Sequence, residues 1–277
     1  MRILFIGDIF GRPGREIARR AIPVLVEREN VDLVIANVEN SAAGFGVTGD
    51  VAAAILDYGV HVMTSGNHVW DKKEVLEYMP REPRLLRPAN FPAGVPGRGS
   101  CLARTRAGEP VGVLNLMGRI FMTPLDDPFA VGLREADALR AKTRVIIVDF
   151  HAEATSEKTA MGWHLDGRVT AVIGTHTHVQ TADERILPRG TAYLTDAGMS
   201  GPHDSIIGVS VEAALGRFTS GMPAKFEAAS GPARLNAVLI TADASTGRAT
   251  AIERVNLSLE DVERLAHEAG HTAGTHS

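Results

Sequence analysis

Side chains that could bind a metal recur in short clusters along the chain. The clusters consist of Asp8, Glu39, Asn40, Asn67, His68, His151, His176 and His178. Carboxylate and amide oxygens and imidazole nitrogens are the groups with which proteins hold divalent metals. One such residue alone is more often a hydrogen-bonded structural residue, but chance rarely fills five successive points of a chain with ligand-type groups. The set therefore predicts metal-dependent chemistry.

Each cluster follows a segment that predicts a buried strand. The apolar runs lie at residues 3–6, 33–38, 61–64, 145–148 and 171–174. Helical spacing of apolar residues after Pro13, a helix capped by Thr48, and a further helix over 133–141 alternate with these strands. The carboxyl ends of parallel strands share one edge of a sheet, so we expect the clusters to converge there.

The rest of the chain predicts one layered domain over residues 1–267. A loop rich in proline and glycine covers 80–99, and a pair of strands follows at 101–106 and 111–117. Strands at 192–195, 236–241 and 250–254 predict a second sheet, a helix is expected over 257–267, and 268–277 is expected to be a flexible tail. The fold class is α/β, with a mostly parallel core, mixed β-sheets and helices around them.

Composition narrows the classes of function. The chain has 277 residues, 44% of them hydrophobic and 22% charged, and a formal net charge of −4. Without an excess of basic residues, the chain lacks the general electrostatic attraction that binds nucleic acid. The composition still permits a local pocket for a small phosphate ester. The single cysteine, Cys101, excludes an intramolecular disulfide and is expected to be a buried small residue in a reducing cytoplasm. No apolar stretch is long enough to span a bilayer, so we expect a cytoplasmic protein without a membrane partner.

In order, the motifs resemble those of the calcineurin-like metallophosphoesterases. They are Gly-Asp at 7–8, Glu-Asn at 39–40, Gly-Asn-His at 66–68, His151, and Gly-Thr-His-Thr-His at 174–178. Within that superfamily, the segments 38–40, 149–153 and 174–179 look like the bacterial YmdB subfamily. The resemblance covers residues 2 to about 255 and implies a metallophosphoesterase-type fold with the metal site at the carboxyl ends of the strands.

Two positions depart from the superfamily pattern. Phe10 stands where most members have a histidine, and Glu39 stands where the bridging residue is usually an aspartate. The resemblance implies that Asn40 replaces the missing ligand and that the protein holds two divalent or trivalent ions. One ion would be held by Asp8, Glu39, Asn40 and His178, and the other by Glu39, Asn67, His151 and His176. An amide oxygen makes the first site harder, which favours iron or manganese and leaves zinc and magnesium open.

By this resemblance the chain is a binuclear metal-dependent phosphodiesterase that acts on small phosphodiesters, notably 2′,3′-cyclic nucleotides. A hydroxide between the metals attacks phosphorus, and His68 protonates the leaving oxygen, unless His68 is only a hydrogen-bonding neighbour of the ligands. Asp149 and Glu153 either orient His151 or are solvated, and Arg12 either touches phosphate or is an ordinary surface residue. The alternatives are a phosphomonoesterase and a regulatory protein that binds a nucleotide or another protein at a metal site. Assembly into a homo-oligomer is left open.

Overall fold

The chain forms two β-sheets that face each other and carry helices on their outer surfaces. The computed structural model describes residues 1–223 and 227–273, with side-chain surroundings through residue 268. The described strands are β1 (Arg2–Ile6), β2 (Asp8–Ile9), β3 (Leu33–Asn37), β4 (Val62–Thr64), β5 (Ser100–Arg104), β6 (Pro110–Met117), β7 (Val145–His151), β8 (Ala171–Thr175), β9 (Arg185–Ile186), β10 (Ala192–Leu194), β11 (Met199–Pro202), β12 (Ala233–Ala242) and β13 (Ala249–Ser258). The described helices are α1 (Gly11–Arg28), α2 (Gly49–Asp57), α3 (Val75–Tyr78), α4 (Pro128–Arg140), α5 (Thr155–Leu165), α6 (Val211–Ser220) and α7 (Leu259–Ala273).

The first sheet combines the start and the end of the chain. Its strand order is β2-β11-β12-β1-β3-β4, and β13 pairs with β12 along the other side. The strands β1, β3 and β4 are parallel, whereas β12 runs antiparallel to β1, with Arg2 opposite Thr241 and Ile6 opposite Ala237. The hairpin of β12 and β13 therefore joins the first strand, β1, through β12.

The second sheet is formed by the middle of the chain. Its order is β5-β6-β7-β8-β10-β9. The four central strands β6, β7, β8 and β10 are parallel, and an antiparallel strand closes each edge. The expected parallel core is thus present in both sheets, and the sheets as wholes are mixed, as predicted.

The strands are continuous apolar runs in the sequence because side chains on both of their faces are buried. Ile3 and Phe5 of β1 point into the core between the two sheets, where they pack with residues of the second sheet such as Ile147. The intervening Leu4 and Ile6 pack on the outer side, in the same cluster as residues of α1. On the other outer face, α4 and α5 cover β6, β7 and β8. A strand covered on both faces needs apolar residues at every position.

The sequence prediction for the last strands was wrong in one respect. The strands predicted at 236–241 and 250–254 do not form a second sheet with 192–195, because β12 and β13 belong to the first sheet and β10 lies beside β8. The physical reason is that β12 is apolar on both faces. Val238 and Ile240 pack in the core between the sheets, and Leu235 and Leu239 pack in the outer cluster that includes α1, so β12 requires a central position.

Several local predictions are confirmed. The Thr48 side chain accepts a hydrogen bond from the Val51 amide at 3.2 Å and so begins α2 as expected. The long loop over 80–99 contains neither a helix nor a strand.

The terminal helix α7 continues to Ala273, beyond the predicted end, and residues 274–277 of the expected tail lie outside the described residues. Among the helices that the structure describes, none is long and apolar enough to cross a membrane.

Candidate metal centre

Five strand ends bring the predicted site residues to one place. Asp8 begins β2, Glu39 and Asn40 follow β3, Asn67 and His68 follow β4, His151 ends β7, and His176 and His178 follow β8. Asp8, Glu39 and His151 are completely buried, and Asn40 is 2% exposed. Burial of so many polar groups is costly unless each is paired or holds a metal, so their mutual contacts decide what the site can do.

The first group of contacts lies around Glu39 and His151. His151 Nε2 lies 3.0 Å from Glu39 Oε1, 3.0 Å from Asn67 Oδ1 and 3.1 Å from His176 Nδ1. Ligand atoms of Glu39, His151 and His176 all lie within 4.8 Å of one another, which is close enough to hold one ion. Gly66 permits this approach, because a Cβ there would lie 2.1 Å from the His151 ring.

The second group joins Asp8, Asn40 and His178. His178 Nε2 lies 3.7 Å from Asp8 Oδ1 and 3.1 Å from Asn40 Nδ2. The same amide nitrogen lies 3.4 Å from Asp8 Oδ1 and 3.4 Å from Glu39 Oε1, so Asn40 connects the two groups. In this arrangement the nitrogen of Asn40 faces the site, and a half-turn of the amide would present its oxygen as the predicted ligand.

Phe10 fills the position of the histidine that most of the superfamily has. Its ring lies 5.6 Å from the His178 ring in an edge-on arrangement and packs with Met199, Val209 and Ala214. Phe10 therefore supports His178 through packing, and the Asn40 amide contacts the same histidine at 3.1 Å.

Each histidine of the group is fixed through its other ring nitrogen. His176 Nε2 lies 3.0 Å from the Glu153 carboxylate, and His178 Nδ1 donates to the Ile207 carbonyl at 2.8 Å. His151 Nδ1 lies 2.9 Å from the Thr175 hydroxyl. Histidines that ligate metals are held in this way, with one nitrogen anchored and the other presented to the ion. The donor set and its outer partners therefore fit a metal centre.

Thr175 extends the His151 contact to a buried carboxylate. The Thr175 hydroxyl donates to Asp149 Oδ1 at 2.7 Å, and Asn37 and Thr64 donate to Asp149 Oδ2. Burial raises the pKa of Asp149 to about 6, against the effect of His151 and these hydrogen bonds. From the sequence, Asp149 and Glu153 were expected either to orient His151 or to be solvated. In the structure, Asp149 contacts Thr175, the partner of His151, whereas Glu153 contacts His176.

The charges within the group compensate one another in spite of their burial. Burial opposes ionisation of Asp8 and Glu39, but hydrogen bonds and charges of neighbouring histidines hold the pKa of both carboxyls below the usual values. Burial also opposes a charge on His151, yet Glu39 and Asp8 raise its pKa to about 9. Burial and the charge of His151 together lower the pKa of His176 to about 4. A cation that enters such a group takes the place of protons.

The loop that carries His176 and His178 has an unusual backbone. Both residues have a positive backbone φ, +104° and +65°, in a region that residues other than glycine seldom adopt. Between them, the amide and hydroxyl of Thr177 donate to Asp196 Oδ2 at 3.0 and 2.7 Å. The same oxygen accepts from the buried Lys158 ammonium at 2.6 Å. This network holds a strained loop in the conformation that presents both histidines.

His68 lies beside the group and is tied to it. Its backbone amide donates to Glu39 Oε2 at 3.0 Å, and its Nδ1 lies 2.8 Å from Asp71 Oδ2. The Phe45 ring packs edge-on against the imidazole, with 5.0 Å between centroids. With Nδ1 held by Asp71, Nε2 is the nitrogen that can exchange a proton with a ligand in the cavity.

A cavity of about 300 Å³ opens above the group. Its polar lining includes Glu39, Asn40, His68, His176 and His178, and most of the remaining lining is apolar. This volume is at the lower end of small-molecule sites, which suits a small ester. Arg12 does not line this cavity and instead lines a different one with Glu16, so the structure gives it no part in the site.

Sequence reasoning did not identify the residues that position the histidines. The missed residues are Asp71, Lys158, Thr175, Thr177, Asp196 and Ile207. The alternation of threonine and histidine over 175–178 was a usable signal, because hydroxyls next to ligands commonly orient them. No comparable signal marks Asp196 or Lys158, which are distant from the motifs in the chain and reach the loop only through the fold.

Known proteins resemble this chain over nearly its whole length. A 2′,3′-cyclic-nucleotide 2′-phosphodiesterase of Bacillus subtilis is 48% identical over 259 residues, which cover 92% of this chain and 96% of that protein. A hypothetical protein from Thermus thermophilus has a crystal structure that matches with a TM-score of 0.87, at 43% identity, over 93% of this chain and 99% of that one. The structure of a novel phosphatase from Mycoplasma pneumoniae matches with a TM-score of 0.87, at 34% identity, over 93% of both chains.

The family assignment rests on the whole of the domain. A family model of YmdB-like proteins matches residues 4–255, the same extent over which the motifs resemble that subfamily. The predicted resemblance is confirmed, and this chain belongs to the family of YmdB-like proteins.

Proposed function

We propose that this phosphoesterase hydrolyses 2′,3′-cyclic nucleotides in a reaction that depends on two metal ions and on His68. The observation that carries the proposal is the set of three histidines, each anchored through one ring nitrogen. The other nitrogen faces Glu39 in His151, Asp8 in His178 and the His151 ring in His176. A related protein is named as a phosphodiesterase of such esters, which supports the substrate class. The proposal places the enzyme in the cytoplasm, where its lone thiol stays reduced.

The residues that would hold the ions fall into two sets that share Glu39. They are Asp8, Glu39, Asn40 and His178 for one ion, and Glu39, Asn67, His151 and His176 for the other. Two such ions, with iron or manganese favoured by the amide ligand, would lower the pKa of a water molecule and neutralise charge on the phosphoryl oxygens. The anchored rings keep these ligand atoms in place, so little reorganisation is needed during the reaction.

His68 supplies the proton that the leaving oxygen needs. As water adds to phosphorus, the bond from phosphorus to a ribose oxygen breaks, and that oxygen leaves as an alkoxide unless it is protonated. The Asp71 carboxylate holds His68 Nδ1 and orients the ring, so Nε2 is left to donate into the cavity. The contact of the His68 amide with Glu39 keeps the acid next to the proposed metal ligands.

The lining of the cavity favours a diester over a monoester. Of the described residues that line it, none is lysine or arginine. A phosphodiester carries one negative charge, whereas a monoester carries nearly two at neutral pH and is usually met by cationic side chains. We therefore place the phosphomonoesterase second.

The test is a comparison of substrates with the manganese- or iron-loaded protein. We expect turnover of 2′,3′-cyclic AMP with the 3′-monophosphate as product, which corresponds to cleavage at the 2′ oxygen, and slower turnover of a linear dinucleotide and of 5′-AMP. The Glu39→Gln variant is the inactive control. Faster hydrolysis of 5′-AMP would make the protein a phosphomonoesterase. Binding of the cyclic nucleotide without turnover would instead support the regulatory alternative.

A further inference from the structure

One side of the cavity contains none of the proposed metal ligands. We call this side the apolar wall and define it as Phe45, Ile206, Ile207, Ala214 and Phe218, which line the same cavity as the proposed ligands. The wall comes from α6 and the segment before it, together with the loop after Asn40. Its residues carry no charge and no hydrogen-bonding side chain, so their side chains offer phosphate no partner. It suits an apolar surface that extends from the phosphate.

The wall leaves large apolar side chains uncovered. Phe218 is 78% exposed and Ile207 is 51% exposed, although both line a cavity next to buried polar groups. Apolar side chains exposed together at the mouth of a site commonly mark a surface that a ligand covers. Phe218 is an aromatic ring on a helix, which is a favourable support for stacking a flat ligand.

The wall is fixed to the metal-binding side at one point. Ile207 has a φ of +47°, which is rare for a side chain branched at Cβ, and its carbonyl accepts the hydrogen bond from His178 Nδ1 at 2.8 Å. The residue that anchors a proposed metal ligand is therefore also part of the wall. This contact fixes the position of the wall relative to the phosphate site.

We propose that the apolar wall is the subsite for the nucleobase, with Phe218 stacking on the base, and that the subsite accepts all four bases. The inference rests on the proposed function, in which the phosphate lies at the carboxylates and histidines. A base attached to the ribose of that ester is a flat heterocycle that can stack on Phe218. Discrimination between bases requires hydrogen bonds to their edges, and the wall side chains offer none.

The test compares two cyclic esters that differ in the base. Glycerol 1,2-cyclic phosphate has the same five-membered phosphodiester ring as 2′,3′-cyclic AMP but lacks a base. In the wild type we expect a higher kcat/KM for the nucleotide. In Phe218→Ala we expect the ratio of the two kcat/KM values to fall by roughly tenfold, mainly through KM, since one stacked base is lost. Phe218→Tyr should restore the ratio, because the ring is kept.

Leu215→Ala is the matched control. Leu215 lies on the same helix and is 49% exposed, but it does not line the cavity, so its removal should leave the ratio unchanged. The four 2′,3′-cyclic nucleotides should differ by less than about tenfold in kcat/KM in the wild type. A wild type that prefers one base strongly, or that hydrolyses the glycerol ester as well as the nucleotide, would overturn the inference. Equal losses for both esters in Phe218→Ala would also do so.

The failure of the proposed function can be distinguished from the failure of this inference. If the wild type turns over neither cyclic ester, the proposed function fails, and binding then tests the wall. We expect the metal-loaded protein to bind adenosine 3′-monophosphate more tightly than glycerol 1-phosphate in calorimetry, and Phe218→Ala to remove most of that difference. Equal affinity of the wild type for both ligands would exclude a base subsite.

Discussion

The two sides of the cavity are built by opposite means. On the side of the proposed ligands, Asp8, Glu39, Asn40 and His151 are buried. His151 there contacts Glu39, Asn67 and Thr175, which come from three different strand ends. The apolar wall comes largely from α6 and the segment before it, and its outermost ring, Phe218, is 78% exposed. Under our proposals, the difference indicates that the chemistry depends on a closely connected network. The exposed ring of Phe218 can change without disturbing that network, whereas Ile207 cannot, because its carbonyl holds His178.

The largest effect is expected at the centre of the network. Glu39→Gln keeps the shape of the side chain but removes the charge that faces His151 and lies next to Asn40. We expect kcat/KM to fall by more than about a hundredfold, beyond what changes in outer partners cost, together with loss of bound metal. Metal analysis and turnover of 2′,3′-cyclic AMP measure both. If the variant keeps two ions and full activity, Glu39 does not bridge them.

The next effect separates proton transfer from metal binding. His68→Ala leaves the seven proposed ligands in place, so metal content should be unchanged. We expect about a hundredfold loss or more with a cyclic nucleotide, because its alkoxide needs a proton, and a smaller loss with a nitrophenyl diester, whose leaving group does not. The comparison is made with metal-saturated enzyme. Equal losses for the two substrates would contradict the acid role and leave His68 as an electrostatic or positioning group.

A smaller effect is expected from an outer partner of His151. Thr175→Val keeps the shape of Thr175 but removes the hydroxyl between His151 Nδ1 and Asp149. We expect the dissociation constant of the metal to rise about 10- to 100-fold, with kcat at saturating metal changed less. Thr175→Ser keeps the hydroxyl and serves as the control. A variant that loses thermal stability but keeps the metal affinity would show that Thr175 is only structural.

The replacement of Asn40 affects one of the two proposed sites. Asn40→Ala removes a predicted ligand of the ion near Asp8 and His178, and the ligands of the other ion remain. In limiting metal we expect the stoichiometry to fall toward about one ion per chain. Asn40→Asp, which keeps an oxygen ligand, should retain two. If the alanine variant binds two ions with unchanged affinity, Asn40 is not a ligand.

The smallest effect is expected outside the cavity, at Cys101 on the edge strand β5. Burial raises the pKa of its thiol to about 11, so the reactive thiolate is scarce near neutral pH and increases as the pH approaches the pKa. Alkylation by iodoacetamide should therefore be slow at about pH 8 and accelerate by about tenfold per pH unit above it. Mass spectrometry follows the reaction. Rapid alkylation at about pH 8 would contradict a raised pKa, and Cys101→Ala should leave kcat/KM unchanged.

The convergence of the proposed ligands was largely predictable from the sequence, and the apolar wall was not. The proposed ligands follow apolar strands, and this placement is readable because strand ends of a parallel sheet converge. The wall depends on α6, in which Val211, Ala214, Leu215 and Phe218 have helical spacing after the capping residue Ser210. That pattern was available, but nothing in it shows that Phe218 lies over a cavity.

The remaining differences arise from contacts between residues distant in the chain. The buried pair of Lys158 and Asp196 holds the loop at Thr177, and neither residue lies in a motif. The central position of β12 follows from packing on both of its faces. To predict that position, one would have to know which elements pack against each face. A pattern of alternating residues shows that a strand is buried, but it does not show its neighbours.

The place of β12 also has a consequence for how the protein is made. The strand β1 pairs on one side with β12, which is synthesised long after it. Until then, one edge of β1 lacks its partner and is open to pairing with other chains. The backbone amide of Asp8, just after β1, donates a hydrogen bond to the carbonyl of Gly198, which is also synthesised later. The proposed ligand Asp8 therefore reaches its final surroundings only after the segment that contains Gly198 has been synthesised.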